Sequence, residues 1–197
     1  TAVDINELDK RLIPNGTSYI TQINTPKGEF SYDGKITAPF VEVVSTGYFY
    51  DELTGGLSYS PIILRALSRS NKNGTLKVNL ITTITKARVK TLYAGGFAFE
   101  TAVYQAEEEL LAAFNIYEQL PAGSDLDIIG TTDGDAALLS ISVILMKIAD
   151  IRATTPNERV AELSLLLAQL SGDLSVDGVI APSSQIAQDI LTASSQI

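Results

Sequence analysis

The residues with the clearest chemical spacing are Asp173-Leu174-Ser175-Val176-Asp177-Gly178-Val179-Ile180. Carboxylates at loop positions 1 and 5, a hydroxyl at 3, Gly at 6 and an apolar residue at 8 match the start of an EF-hand-type loop. There, alternate oxygens converge on one calcium ion while Gly makes the sharp turn. The pattern nominates Asp173, Ser175 and Asp177 as metal ligands and calcium as the one candidate cofactor. Position 12 is Ser184, where a bidentate carboxylate belongs, so the ligand set lacks its anchor. The competing reading is a helix end running into a tight turn, with Gly172 and Gly178 supplying positive φ.

A second set is aromatic. Tyr19, Tyr32, Tyr48, Tyr50 and Tyr59 all fall in the first half of the chain. Exposed on one face, Tyr48, Tyr50 and Tyr59 would stack on sugars or anchor a protein partner. Turned inward, tyrosines instead pack a sheet and reach water with their hydroxyls. No Trp is present to strengthen the glycan reading.

Other combinations are weaker. Asp125, Asp127, Asp133 and Asp135 have no recognised metal spacing, and the last two suit the acidic first turn of a helix. Glu107, Glu108 and Glu109 read as a solvated helix face, since neighbours on a helix point different ways. Thr1 could act as an N-terminal nucleophile only from a buried terminus. A processed or cut end, with an export signal already removed, is the simpler reading, and residues 2–10 look flexible. Asn15-Gly16-Thr17 and Asn73-Gly74-Thr75 fit the N-glycosylation pattern and equally fit turns.

Exclusions are firmer. Among 197 residues there is no His and no Cys, which removes His-based triads, the common zinc sites, disulfides and cysteine-ligated clusters. Gly56-Leu57-Ser58-Tyr59-Ser60 ends in Ser where a nucleophile elbow needs Gly. A net charge of −9 opposes nucleic-acid backbone contacts. The longest apolar run, residues 136–144, is too short to span a bilayer. A two-carboxylate hydrolase would need facing acids with one pKa raised, and nothing in the spacing assigns them. The expectation is that the chain is not an enzyme.

The elements that must position these residues change type along the chain. Residues 1–100 carry 11 basic and 9 acidic side chains, whereas residues 101–197 carry 3 and 14. Turn signals at Asn15-Gly16, Pro26-Lys27-Gly28, Asp33-Gly34, Gly55-Gly56 and Asn73-Gly74 separate short runs of strand type. These cover residues 18–24, 28–32, 40–44, 47–50, 62–67 and 75–80, with Pro39 and Pro61 at strand beginnings. Beyond residue 80 the apolar period becomes helical, over about 80–92, 99–117, 136–151 and 184–194. A capping box at Thr155, Pro156 and Glu158 opens a further helix that should stop before Gly172. The fold expected is α+β, an N-terminal antiparallel β-sandwich (1–80) followed by a C-terminal helical bundle (81–197).

Gly28-Glu29-Phe30, residues 36–44 and Gly47-Tyr48-Phe49-Tyr50-Asp51-Glu52 resemble the carboxypeptidase regulatory-like (transthyretin-like) β-sandwich. Leu64-Arg65-Ala66-Leu67 and Val78-Asn79-Leu80-Ile81-Thr82-Thr83-Ile84-Thr85 are similar to bacterial cell-surface lipoprotein modules in which such a sandwich runs into a helical domain. Asp173-Leu174-Ser175-Val176-Asp177-Gly178 looks like an element near the helical end of those modules. The resemblance spans about residues 16–180. It implies a non-catalytic exported module at a bacterial outer membrane or periplasm, with a lipid anchor upstream, of adhesion or scaffold type. The partner expected is a protein or a glycan, and not a nucleic acid.

Overall fold

A computed structural model describes every residue except 1, 24, 26, 27, 52, 72–74 and 197. The readings at Thr1, Pro26-Lys27 and Asn73-Gly74 lie outside the described residues. Among the described residues the fold is mixed, with a four-stranded antiparallel sheet, a two-stranded ribbon, five α-helices and a short 3-10 turn at Gly123–Asp125.

Strands β1 (Ala2–Leu8), β2 (Pro14–Gln22), β3 (Phe40–Gly47) and β6 (Ile62–Arg69) form the sheet in the order β2-β1-β3-β6. The expectation that residues 2–10 are flexible is corrected, since β1 is a central strand paired on both sides. Val3 and Ile5 alternate with Asp4 and Asn6, so one edge of the pleat is apolar although half its residues are polar. Pro39 and Pro61 do directly precede strands β3 and β6.

Residues 28–32 and 75–79, expected as strands, make no ladder. They cross the sheet face that carries Val3, Ile5, Val41 and Val43, and lay Phe30, Tyr32, Leu76 and Val78 against it. Their apolar alternation therefore reflects one-sided packing without a hydrogen-bonded neighbour.

Helix α1 (Leu80–Ala94) begins where the last expected strand would end. Asn79 and Thr82 form a reciprocal cap that satisfies the first-turn N–H groups. The helix lies along the free edge of β6, where the Arg65 N–H donates to the Thr83 hydroxyl at 2.9 Å. It also lies over the opposite sheet face, packing Val89 and Leu92 near Leu8 and Phe40. Glu42 on that face is buried, with Lys86 Nζ at 2.9 Å and Arg65 Nη1 at 3.1 Å. Burial pushes the Glu42 carboxyl up, but the bonds and charges of Lys86, Lys90 and Arg65 together outweigh it and hold the group below its ordinary value.

The remaining helices are α2 (Phe99–Ala113), α3 (Asp133–Arg152), α4 (Arg159–Asp177) and α5 (Gln185–Ser194). Ser184 caps α5, and Asp133 and Asp135 occupy the first turn of α3. α4 starts later than its sequence signal. The Glu158 carboxylate reaches back to the Thr154 N–H at 2.9 Å, and the helix opens at Arg159. It also runs on through Gly172, because Leu174 continues the stripe of Leu163, Leu167 and Leu170. The main core joins these helices to Ile62 of β6. Among the described residues no helix is long and apolar enough to cross a membrane.

Glu7 fastens the irregular crossing to the sheet. Its buried carboxylate accepts the Thr37 N–H at 2.7 Å, the Asn15 amide at 3.0 Å and the Tyr19 hydroxyl at 3.1 Å. The Thr37 N–H first, then Asn15, lower its pKa from 4.5 to about 2. A carboxyl depressed on folding contributes stability above its ordinary pKa and loses it as pH falls towards its folded one. The stability advantage of the native chain over Glu7→Gln should therefore be full above pH 4.5 and shrink towards about 2. Urea midpoints across that range would test this, and a constant difference would refute it.

Candidate functional site

The residues between β3 and β6 form a hairpin, β4 (Tyr50–Asp51) and β5 (Gly56–Leu57). Tyr50 faces Leu57, and Asp51 faces Gly56. The Ser58 N–H donates to the Phe49 carbonyl at 2.8 Å, and the Phe49 N–H donates to the Ser58 hydroxyl at 3.2 Å. These bonds extend the same register, so Tyr48 falls opposite Tyr59.

Side chains alternate across a strand, and the two sides of this hairpin differ completely. Phe49 packs on the main core, while Asp51 and Ser58 are buried. Tyr48, Tyr50 and Tyr59 are 59, 61 and 59% exposed, and Leu57 is 71% exposed. Three tyrosines and a leucine thus share one outward face. Tyr19 and Tyr32 behave otherwise, their rings 4.8 Å apart on the sheet and the Tyr19 hydroxyl donating to Glu7.

The face is held from behind. One Asp51 oxygen accepts the Leu53 and Thr54 N–H groups at 3.0 and 3.2 Å and shapes the turn. The other accepts Arg159 Nη1 at 2.7 Å, and Arg159 Nη2 reaches Asp150 at 2.6 Å. The guanidinium at the start of α4 therefore fixes the hairpin onto the helices. Leu57 and the Asp51–Arg159 pair escaped the sequence reading. Alternation through Tyr48, Tyr50 and Leu57 could have found the first, whereas nothing local links positions 51 and 159.

The segment from Asp173 is not a loop. Asp173, Ser175 and Asp177 lie in the last turns of α4, where steps of two residues point to opposite sides. The Ser175 hydroxyl donates to the Gly172 carbonyl at 2.7 Å, and Asp177 accepts the Val179 N–H at 3.0 Å. Gly178, at φ 81°, ends the helix, and a Cβ there would run into the Glu109 carboxylate. Among the described residues no group of three or more acids is placed to hold a metal ion.

The other acids are tied up structurally. Of Glu107–Glu109, expected as a solvated face, Glu108 is exposed, but the other two need correction. Glu107 is buried and accepts the Gly123 N–H at 3.0 Å, and Glu109 takes both arms of Arg88 at 2.7 and 2.9 Å. The Asp135 carboxylate gathers the Asp127 N–H and the Thr132 hydroxyl, each at 2.7 Å. Both contacts, with the Asp127 N–H the stronger, hold its pKa below the ordinary value. Asn15, the glycosylation candidate, gives its amide to Glu7.

No protein-family model matches this chain, and neither a curated protein nor a solved structure matches it.

Two outcomes follow from this geometry. Asp51→Ala should lower stability by about 1–3 kcal/mol, because it leaves the half-buried Arg159 with Asp150 alone and strips the Leu53 and Thr54 N–H groups of their acceptor. A urea-midpoint change within the range of surface substitutions would contradict the anchoring role. Millimolar calcium should leave the melting temperature unchanged. A rise that disappears in Asp177→Ala would instead restore the calcium-loop reading.

Proposed function

We propose that this chain is a non-catalytic binding module, exported and presented at a bacterial cell surface, where the outward hairpin face captures a protein partner. The observation that carries this reading is the clustering of Tyr48, Tyr50, Leu57 and Tyr59 on one exposed face. Exposed apolar side chains are common singly, whereas a contiguous aromatic set on a braced element is what binding hot spots are made of. Leu57 within the set favours a protein, because a sugar platform is served by aromatic faces with polar neighbours. The lack of His and Cys supports a non-enzymatic role. The surface location and the upstream anchor rest on the resemblance to lipoprotein modules. In the same reading, residues 28–32 and 75–79 serve as an unpaired apolar cover over β1 and β3, in the place where a sandwich has its second sheet.

Glycan binding by the same tyrosines is the second reading, favoured by their near-equal exposure on one side of the ribbon. A photo-crosslinking residue at position 57, on the chain presented to intact bacterial envelopes, separates the two. The expected result is a discrete protein adduct from position 57 and none from the equally accessible Tyr117. The adduct should vanish when Tyr48, Tyr50 and Tyr59 are all changed to Ser, with the melting temperature preserved. Binding to arrayed glycans that the triple variant loses would support the second reading. Neither signal would overturn both.

A further inference from the structure

Behind the hairpin, between the sheet and the helices, lies a cavity of about 870 Å³. Val43 lines it from the sheet, Phe30 and Val78 from the crossing segments, and Leu138, Ser142 and Met146 from α3. The last three are spaced by four residues, so they form one stripe down the helix. Phe30 and Val78 are only half-buried although they pack on the sheet, and the open space beside them is this cavity.

Ser142 is the residue out of place. It is 4% exposed, sits between Leu138 and Met146 on the cavity wall, and its hydroxyl bonds to no other described residue. On the solvent side of the same helix, Ser140 turns its hydroxyl back to the Ala136 carbonyl at 2.8 Å. Among the described residues the one fully buried side-chain polar atom without a partner is Arg159 Nε, so the Ser142 hydroxyl is reached by water from the cavity, and an oxygen of a bound molecule would replace that water. The cations near the cavity are already committed, Lys77 to Asp127 and Arg69 to Glu100. An anionic head group therefore finds no free counter-charge among the described residues. The size falls within the roughly 300–1,000 Å³ of small-molecule sites, which are mainly apolar with a few placed polar groups.

We propose that this cavity binds a largely apolar small molecule carrying one uncharged oxygen, with that oxygen hydrogen-bonded to Ser142. Phe49 and Tyr50 of the hairpin add to the cavity wall, but the proposal does not rest on the binding role of the tyrosine face. The test uses the full chain and 1-decanol as the probe, followed by thermal melting and calorimetric titration. A ligand that binds only the folded form raises the transition in a concentration-dependent way. Decanol should do so for the native chain, and decanoate should do so far less. Ser142→Ala, which removes only the oxygen, should weaken decanol binding about tenfold, as expected for one lost hydrogen bond. Ser142→Leu should fill the space, raise the transition without ligand and abolish the decanol shift. Ser140→Leu on the outer side should leave the shift intact. No decanol shift in the native chain would overturn the proposal, as would equal affinity in Ser142→Ala. The alanine variant decides the matter even if the leucine variant does not fold.

Discussion

Much of this molecule hangs on the guanidinium of Arg159, held between Asp51 and Asp150 at the start of α4. Placing a charge there is unfavourable unless its partners are already in place, because desolvation must be offset by close, well-directed contacts. Asp51 meets that demand only when its own turn is formed, since its second oxygen holds the Leu53 and Thr54 N–H groups. The hairpin and the helix therefore specify one another. The outward tyrosines gain a fixed orientation from a contact on the opposite side of their own strands.

Helix α1 imposes the complementary constraint. It closes the β6 edge through Thr83 and covers one sheet face through Val89 and Leu92. It also meets α2 and α4 on its other sides. Its Lys86 neutralises the only carboxylate buried beneath it in β3, Glu42. An edge left open would expose unpaired backbone to other chains. The opposite edge strand, β2, is instead exposed for most of its length and opens with Pro14, a residue without an N–H to offer.

What could be read in the sequence was what is local. The helices over α1, α2, α3 and α5 announced themselves through their apolar period, and of the strand expected at 47–50 the ends, Gly47 and Tyr50, lie in β3 and β4. Gly172 misled because a helix tolerates Gly wherever its apolar stripe continues, and only Gly178 needs positive φ. Residues 28–32 and 75–79 misled because apolar alternation reports a covered face and says nothing about a paired neighbour. Glu107 and Glu109 looked solvated, and Glu7 drew no reading, because their partners, Gly123, Arg88 and Thr37, lie far along the chain. The tyrosine face was legible; the charge that braces it was not.

The bracing contact spans 108 positions. A chain made from its N-terminus at about 5–20 residues per second completes the hairpin sequence roughly 5–20 s before Arg159 exists. During that interval the Asp51 carboxylate has no guanidinium and Phe49 has no helical core to enter. The aromatic face is thus synthesised early but aimed late, and no shortened chain ending before α4 can present it.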